Sequence, residues 1–218
     1  MRACLDRVGA TAVDLVVLTH YHADHVGGLT AVLERPVAQI RASPVRDPPA
    51  EADRVARLAA ARRVPLGELR ARQRVTVGAV SADVWWPARR IDAGSVPNNA
   101  SVVLTMHVRG LSVLLAGDIE REAAAQVVHE SRLDPQRWGS IDVLKVAHHG
   151  SSNRDDRLLD RVDGRLALIS VGKGNDYGHP APATMKALQD RGFEVHRTDL
   201  EGDVAVVTDG DEVRAVSG

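Results

Sequence analysis

Residues 13–19 (VDLVVLT) form a short, nearly continuous apolar run rich in valine, which predicts a strand buried on both faces. Residues 20–28 follow as a loop, and residues 29–34 begin a helix that Pro36 stops. Pro44, Pro48 and Pro49 mark a connection, after which residues 51–63 carry helical spacing, with Val55, Leu58 and Ala59 on one side. Beyond Pro65 the pattern changes to strands at 74–80, 82–86, 101–108 and 112–116, the last two joined as a hairpin at Gly110. From there strand and helix alternate. Helices are predicted over 119–130, 154–161 and 183–191, and strands over 141–147, 165–171 and 193–197. Strands at 204–208 and 212–216 close the chain as a hairpin around Asp209-Gly210. An antiparallel stretch followed by alternating elements predicts an α/β or α+β fold, with two sheets sandwiched between helices in one domain.

The 218 residues suffice for a sizeable core, and 44% apolar with 26% charged residues is ordinary for a globular protein. Cys4 is the one cysteine, so an intrachain disulfide and a thiolate zinc cluster are both excluded; any metal must be held by histidine and carboxylate. No apolar run approaches the ~20 residues that span a bilayer, and no basic-then-apolar leader opens the chain. The expectation is a soluble protein, cytoplasmic by default. A net charge of -1 gives no global attraction to nucleic acid, but residues 35–90 hold 12 arginines against five acids. Such an excess either contacts phosphates or is simply a solvated face.

The candidate chemistry is concentrated in Thr19-His20-Tyr21-His22-Ala23-Asp24-His25-Val26-Gly27-Gly28. Four potential ligands fall within six residues, directly after a buried strand whose rigid end can aim them at one volume. His20 and His22 can hold one cation while Asp24 and His25 hold a second. Imidazole and carboxylate suit zinc, manganese or iron.

This HxHxDHxGG signature resembles the metallo-β-lactamase superfamily. Leu114-Leu115-Ala116-Gly117-Asp118 is similar to the superfamily's strand-then-aspartate element, Val143-Leu144-Lys145-Val146-Ala147-His148-His149-Gly150-Ser151 follows, and Asn98-Asn99-Ala100-Ser101 and Tyr177-Gly178-His179-Pro180 complete the order. That ordered set resembles the C-terminal domain of ComEC-type competence proteins, and also related phosphorylcholine esterases. The likeness runs from about Leu5 to about Val207.

The resemblance implies a four-layer αββα sandwich and two divalent ions, zinc or manganese, with Asp118 bridging. His20 and His22 would complete one ion. Asp24, His25 and a later histidine would complete the other. Strand alternation favours His148 as that ligand, with His149 pointing elsewhere and His179 as its rival. A bridging water would attack phosphorus, Asp24 belongs to the catalytic set, and His149 or His179 would protonate the leaving alkoxide. Ser151 and Asn99 would donate hydrogen bonds to the substrate.

Two departures from the family pattern stand out. Asn98-Asn99 occupies the region where the superfamily supplies another histidine, which leaves the first ion to water or to the Asn99 amide; His107 lies mid-strand and reads as structural. The chain also starts after the Asp-Val-Gly-Gln-Gly-Asp type strand that usually opens such domains, so the fold is expected to lack its opening strands through N-terminal truncation.

For function, the resemblance implies a DNase-type domain of a DNA-uptake system acting on single-stranded DNA, with Trp85-Trp86 as a candidate stacking platform. It further implies a membrane-channel domain of a larger parent as partner, and then a place on the extracytoplasmic face of the membrane. The alternatives are a small-molecule phosphodiesterase, esterase, lactonase or thioesterase of the same fold, and a non-catalytic remnant that binds DNA or a channel.

Overall fold

Alternation of side chains explains why the central strands read as unbroken apolar runs. In a computed structural model, which describes residues 1–210 and 212–217, Leu111-Leu115 sends Leu111 and Val113 into one core and Leu114 into another. Val143 and Leu144 divide in the same way. Each such strand is covered on both faces, and each fully buried Leu, Ile or Val contributes about 1.5–3 kcal/mol.

The strands are β1 (Val16–Leu18), β2 (Ile40–Ala42), β3 (Leu66–Glu68), β4 (Arg74–Val77), β5 (Val80–Trp86), β6 (Val103–Val108), β7 (Leu111–Leu115), β8 (Val143–Lys145), β9 (Leu166–Ile169), β10 (Glu194–Arg197), β11 (Val204–Thr208) and β12 (Val213–Ser217). β1, β2 and β3 form a small parallel sheet in that order. The large sheet runs β10-β9-β8-β7-β6-β5-β4; it is parallel from β10 to β7 and antiparallel from β7 to β4. β11 and β12 pair as a separate hairpin, whose Val206, Val213 and Ala215 pack on Leu111, Val113, Val143 and Leu166. Asp211, within the predicted turn of this hairpin, lies outside the described residues.

Helices flank both sheets. Pro49–Ala61 and Leu29–Val32 pack on the small sheet through Val55, Ala59, Leu29 and Leu33. Arg121–Leu133, the 3₁₀ helix Asp156–Arg161 and Pro182–Asp190 cover the outer face of the large sheet through Val127, Leu158 and Leu188. Between the sheets, Leu69, Val84, Val102 and Leu104 pack with Val17, Val75 and Met106. The layers are therefore helix, sheet, sheet, helix.

The predicted helices and most strands are present with shifted ends; residues 154–161 form a 3₁₀ rather than an α-helix. β2 and β3, at three residues each, carry too short a pattern to read from sequence. No helix among the described residues is long and apolar enough to cross a membrane.

Candidate metal centre

Loops leaving the C-terminal ends of β1, β7, β8 and β9 deliver the chemistry-bearing side chains to one pocket of about 460 Å³. After β1, Thr19 bonds the small sheet to the large one through Val102 N–H to its carbonyl, 2.8 Å, so the loop starts from a clamped point. The Thr19 hydroxyl then lies 3.2 Å from His20 Nδ1 and 3.1 Å from His25 Nδ1. Ser101 Oγ is 3.1 Å from His20 Nδ1 and accepts from Asp118 N–H at 3.0 Å. With Nδ1 engaged, each imidazole offers Nε2 to the interior. Gly117 allows the turn out of β7: its φ is +54°, and an added Cβ would sit 2.7 Å from Ser101 Cβ.

After β8 the backbone does something alternation cannot foresee. The strand ends at Lys145, and His148 (φ 49°, ψ 47°) and His149 (φ 51°, ψ 23°) both take the left-handed conformation, followed by Gly150. Such geometry costs a non-glycine residue roughly 1–2 kcal/mol and is typical of functional turns. Here it sends His149, rather than His148, into the cluster. His149 Nδ1 lies 2.6 Å from the Ser170 carbonyl at the end of β9 and donates to it. Its Nε2 then stands 3.2 Å from Asp24 Oδ2 and 3.3 Å from Asp118 Oδ2, while His25 Nε2 is 3.1 Å from the same Asp118 oxygen and 3.6 Å from Asp24 Oδ2. One ligand atom each from Asp24, His25, Asp118 and His149 lies within 4.8 Å of every other. His20 adjoins this group, its ring 4.1 Å from that of His25 and 4.8 Å from that of His22.

The electrostatics follow from this crowding. Burial and the neighbouring His25 press His20 down to about 3, so its Nε2 lone pair stays free. Burial works against the Asp118 carboxylate, but the imidazoles of His149 and His25, 3.3 and 3.1 Å away, overcome it and hold Asp118 well below the usual carboxylate range. His149 is raised to about 10 by the Asp118 and Asp24 carboxylates beside it, and Asp24 is lowered to about 2 mainly by His149.

These shifts predict how the chelator-treated protein responds to pH. The stability lent by a raised His149 is whole below its ordinary 6.5 and is lost as pH climbs toward 10; that lent by a lowered Asp24 is whole above 3.8 and is lost toward 2. His20, lowered to about 3, works the other way and withdraws stability as pH falls below 6.5, so the cluster stabilises the metal-free chain most near pH 6.5. Melting curves should show Tm declining from pH 6.5 to 10, and a level Tm over that span would count against the arrangement.

Several buried polar atoms have no hydrogen-bond partner: His20 Nε2, His25 Nε2, His149 Nε2, Asp118 Oδ1, Asn98 Oδ1, His148 Nδ1 and His179 Nδ1. Buried polar groups are normally satisfied, so seven in one place mark a site for something else to bind. The donors are imidazoles and carboxylates with no thiolate, and they fit divalent cations.

Other expectations change. Asn99 does not face the pocket: its Oδ1 accepts from Glu120 N–H and Ala123 N–H, and its Nδ2 donates to the Ala93 carbonyl and Glu122. Asn98, unnoticed as a functional residue, faces the pocket in its place. Ser151 also turns away, its hydroxyl accepting from Asn153 N–H at 3.2 Å. His148 and His179 line the pocket with rings 5.5 Å apart, and burial lowers both. His107 bonds Ser112 within the sheet, a structural place.

Trp85 and Trp86 are 2% and 1% exposed and bond Thr105 Oγ1 and the Asn99 carbonyl, so neither ring can stack on a base. Seven of the 12 arginines in residues 35–90 are ion-paired. Arg35 pairs with Asp6, Arg46 with Asp53, Arg54 with Glu51, Arg70 with Glu68, Arg72 with Glu130, Arg74 with Asp83 and Arg90 with Asp92.

A four-layer sandwich with carboxylates and imidazoles gathered at its strand ends defines a metal-dependent hydrolase scaffold. The chain belongs to the metallo-beta-lactamase superfamily, whose family model matches residues 2–172. It is 30% identical over 200 residues to "ComE operon protein 3" of Bacillus subtilis, covering 90% of this chain and 25% of that protein. It is 28% identical to "Competence protein ComA" of Neisseria gonorrhoeae, covering 91% of this chain and 26% of the other. The chain thus spans about a quarter of the length of these relatives. Among solved structures, the metallo-beta-lactamase fold protein YhfI from Bacillus subtilis superposes with a TM-score of 0.54 at 12% identity, over 93% of this chain and 78% of that one.

Proposed function

We propose that this chain hydrolyses phosphoester bonds with two divalent ions, and that its substrate is DNA, single-stranded in the first instance. The observation that carries the reading is the opposed set of Asp24, His25, Asp118 and His149 with unpartnered atoms turned inward. Asp24, His25, Asp118 and His149 would hold one ion. His20, His22 and Asp118 would hold the other, since Asp118 has Oδ2 engaged with the first set and Oδ1 free. Bound zinc or manganese would supply Lewis-acid charge and lower the pKa of a water.

The chain's own residues do the positioning. Thr19 and Ser101 fix the rings of His20 and His25, and the Ser170 carbonyl keeps the His149 proton on Nδ1. With His149 taken up by the cluster, His179 is the residue left to give a proton to the leaving oxygen, from a pocket-lining ring whose Nδ1 is unpartnered. His148 stands beside it.

DNA is favoured by the competence proteins among the relatives, whose handling of DNA would extend to this chain and, in a longer protein, to a membrane channel partner. A second reading, a small-molecule phosphodiesterase or esterase, is favoured by the buried tryptophans, which leave no Trp85-Trp86 stacking platform, and by the pairing of seven of the 12 arginines in residues 35–90.

Supplying single-stranded DNA, a chromogenic phosphodiester and a thioester, each with manganese and with zinc, separates the readings. We expect DNA to be cleaved with the highest kcat/KM. Turnover of the small diester alone would select the second reading, and turnover of the thioester alone would overturn phosphoester chemistry.

A further inference from the structure

Asn98 belongs to neither ion set described above, yet it is 5% exposed and lines the pocket beside His22, Asp24, Asp118 and His148. It lies in the helical turn Val96–Asn99, capped by Ser95, whose hydroxyl accepts from Asn98 N–H. Its side-chain nitrogen Nδ2 donates to Glu120 Oε1 at 3.2 Å and lies 3.4 Å from His148 Nε2. Glu120 is itself held, since its Oε2 accepts from Ser95 N–H at 2.9 Å. A carboxylate can only accept, so turning the amide over would set oxygen against oxygen. The orientation is therefore locked, and Asn98 Oδ1 is left buried with no hydrogen-bond partner.

That oxygen carries no proton and cannot donate to a phosphate. It can only accept, from a donor or from a cation, and it sits in a pocket whose other unpartnered atoms include two proposed ligand atoms, Asp118 Oδ1 and His149 Nε2. We propose that Asn98 Oδ1 is a neutral oxygen ligand to a divalent cation in this pocket, with Glu120 as the positioning residue that aims it. The inference rests on the two-ion reading above. It also gives that reading a chemical direction: an amide oxygen suits manganese or magnesium better than a further imidazole would. The contrast with Asn99 is direct, because every polar atom of that neighbour's amide is already satisfied within the fold.

The test titrates Mn²⁺ into chelator-stripped protein by calorimetry and records the visible spectrum of the Co²⁺ form. Asn98→Leu keeps the volume and removes the oxygen; it should weaken one Mn²⁺ binding step by about tenfold or more and change the Co²⁺ spectrum. Glu120→Gln, which leaves every ligand in place but unlocks the amide, should weaken the same step to a lesser degree. It also carries the test should Asn98→Leu not fold. Wild-type affinity and an unchanged Co²⁺ spectrum in the folded variants would overturn the inference while leaving the two-ion reading intact. Wild-type protein that takes up neither Mn²⁺ nor Zn²⁺ would overturn both.

Discussion

Asp118→Ala is expected to remove hydrolysis and metal uptake together, lowering kcat/KM by on the order of a thousandfold or more, about 4 kcal/mol on the barrier. Asp118 is the residue on which the cluster converges: Oδ2 faces His25 and His149 while Oδ1 is free for a second ion. Without it, each proposed ion loses an anionic ligand and the water between them loses its place. The fold should survive. Asp118 is held by its backbone N–H to Ser101, which alanine retains, and His149 can shed its proton once the carboxylate is gone. His22→Ala should reduce activity in the same direction, because His22 lines the pocket beside His20. Retention of activity by either variant, with circular dichroism near wild type, would remove the proposed site.

The second large effect falls on stability, not chemistry. Asn99→Ala should lower stability by about 3 kcal/mol, since each buried backbone N–H left unpaired costs about 1–3 kcal/mol. The side-chain oxygen of Asn99 caps the helix Arg121–Leu133 from outside it, accepting from Glu120 N–H and from Ala123 N–H. Glu120, the residue that precedes the first turn, makes no such cap with its own side chain. Loss of this cap in a chain of 218 residues corresponds to a fall in Tm of about 6–12 °C. A Tm within about 2 °C of wild type, no more than the effect of ~1 kcal/mol, would show that water replaces the amide.

The two neighbouring asparagines show how far sequence reasoning reached. Asn98-Asn99 stands out as the place where a histidine is missing, and the reading favours Asn99, whereas the structure turns Asn98 toward the pocket and Asn99 into the fold. The signal that separates them is positional: one follows the other by 100° around a short helical turn, so one amide must face inward to the helix cap if the other faces the pocket. The same holds for His148 and His149. Alternation was extended beyond β8, although the Gly150 that follows is the sequence's own sign that the strand has given way to a turn. Trp85 and Trp86 were legible only as a pair in a strand; that both are buried depends on a helix, with Trp138, packing against one face.

From the chain alone came the αβ layering, the strand before His20 and the cluster from His20 to His25, whereas the pairing of that cluster with Asp118 came from the family resemblance. The first three are local facts: apolar period, short ligand spacing and strand-end loops are written in consecutive residues. Which of two adjacent histidines meets Asp118, which of two adjacent asparagines faces the pocket, and whether a charged arginine is free or paired were decided only in three dimensions. The histidine and asparagine outcomes depend on partners 21 or more residues away, such as Ser170, Glu120 or Ser101, and on turn geometry that sequence period does not encode.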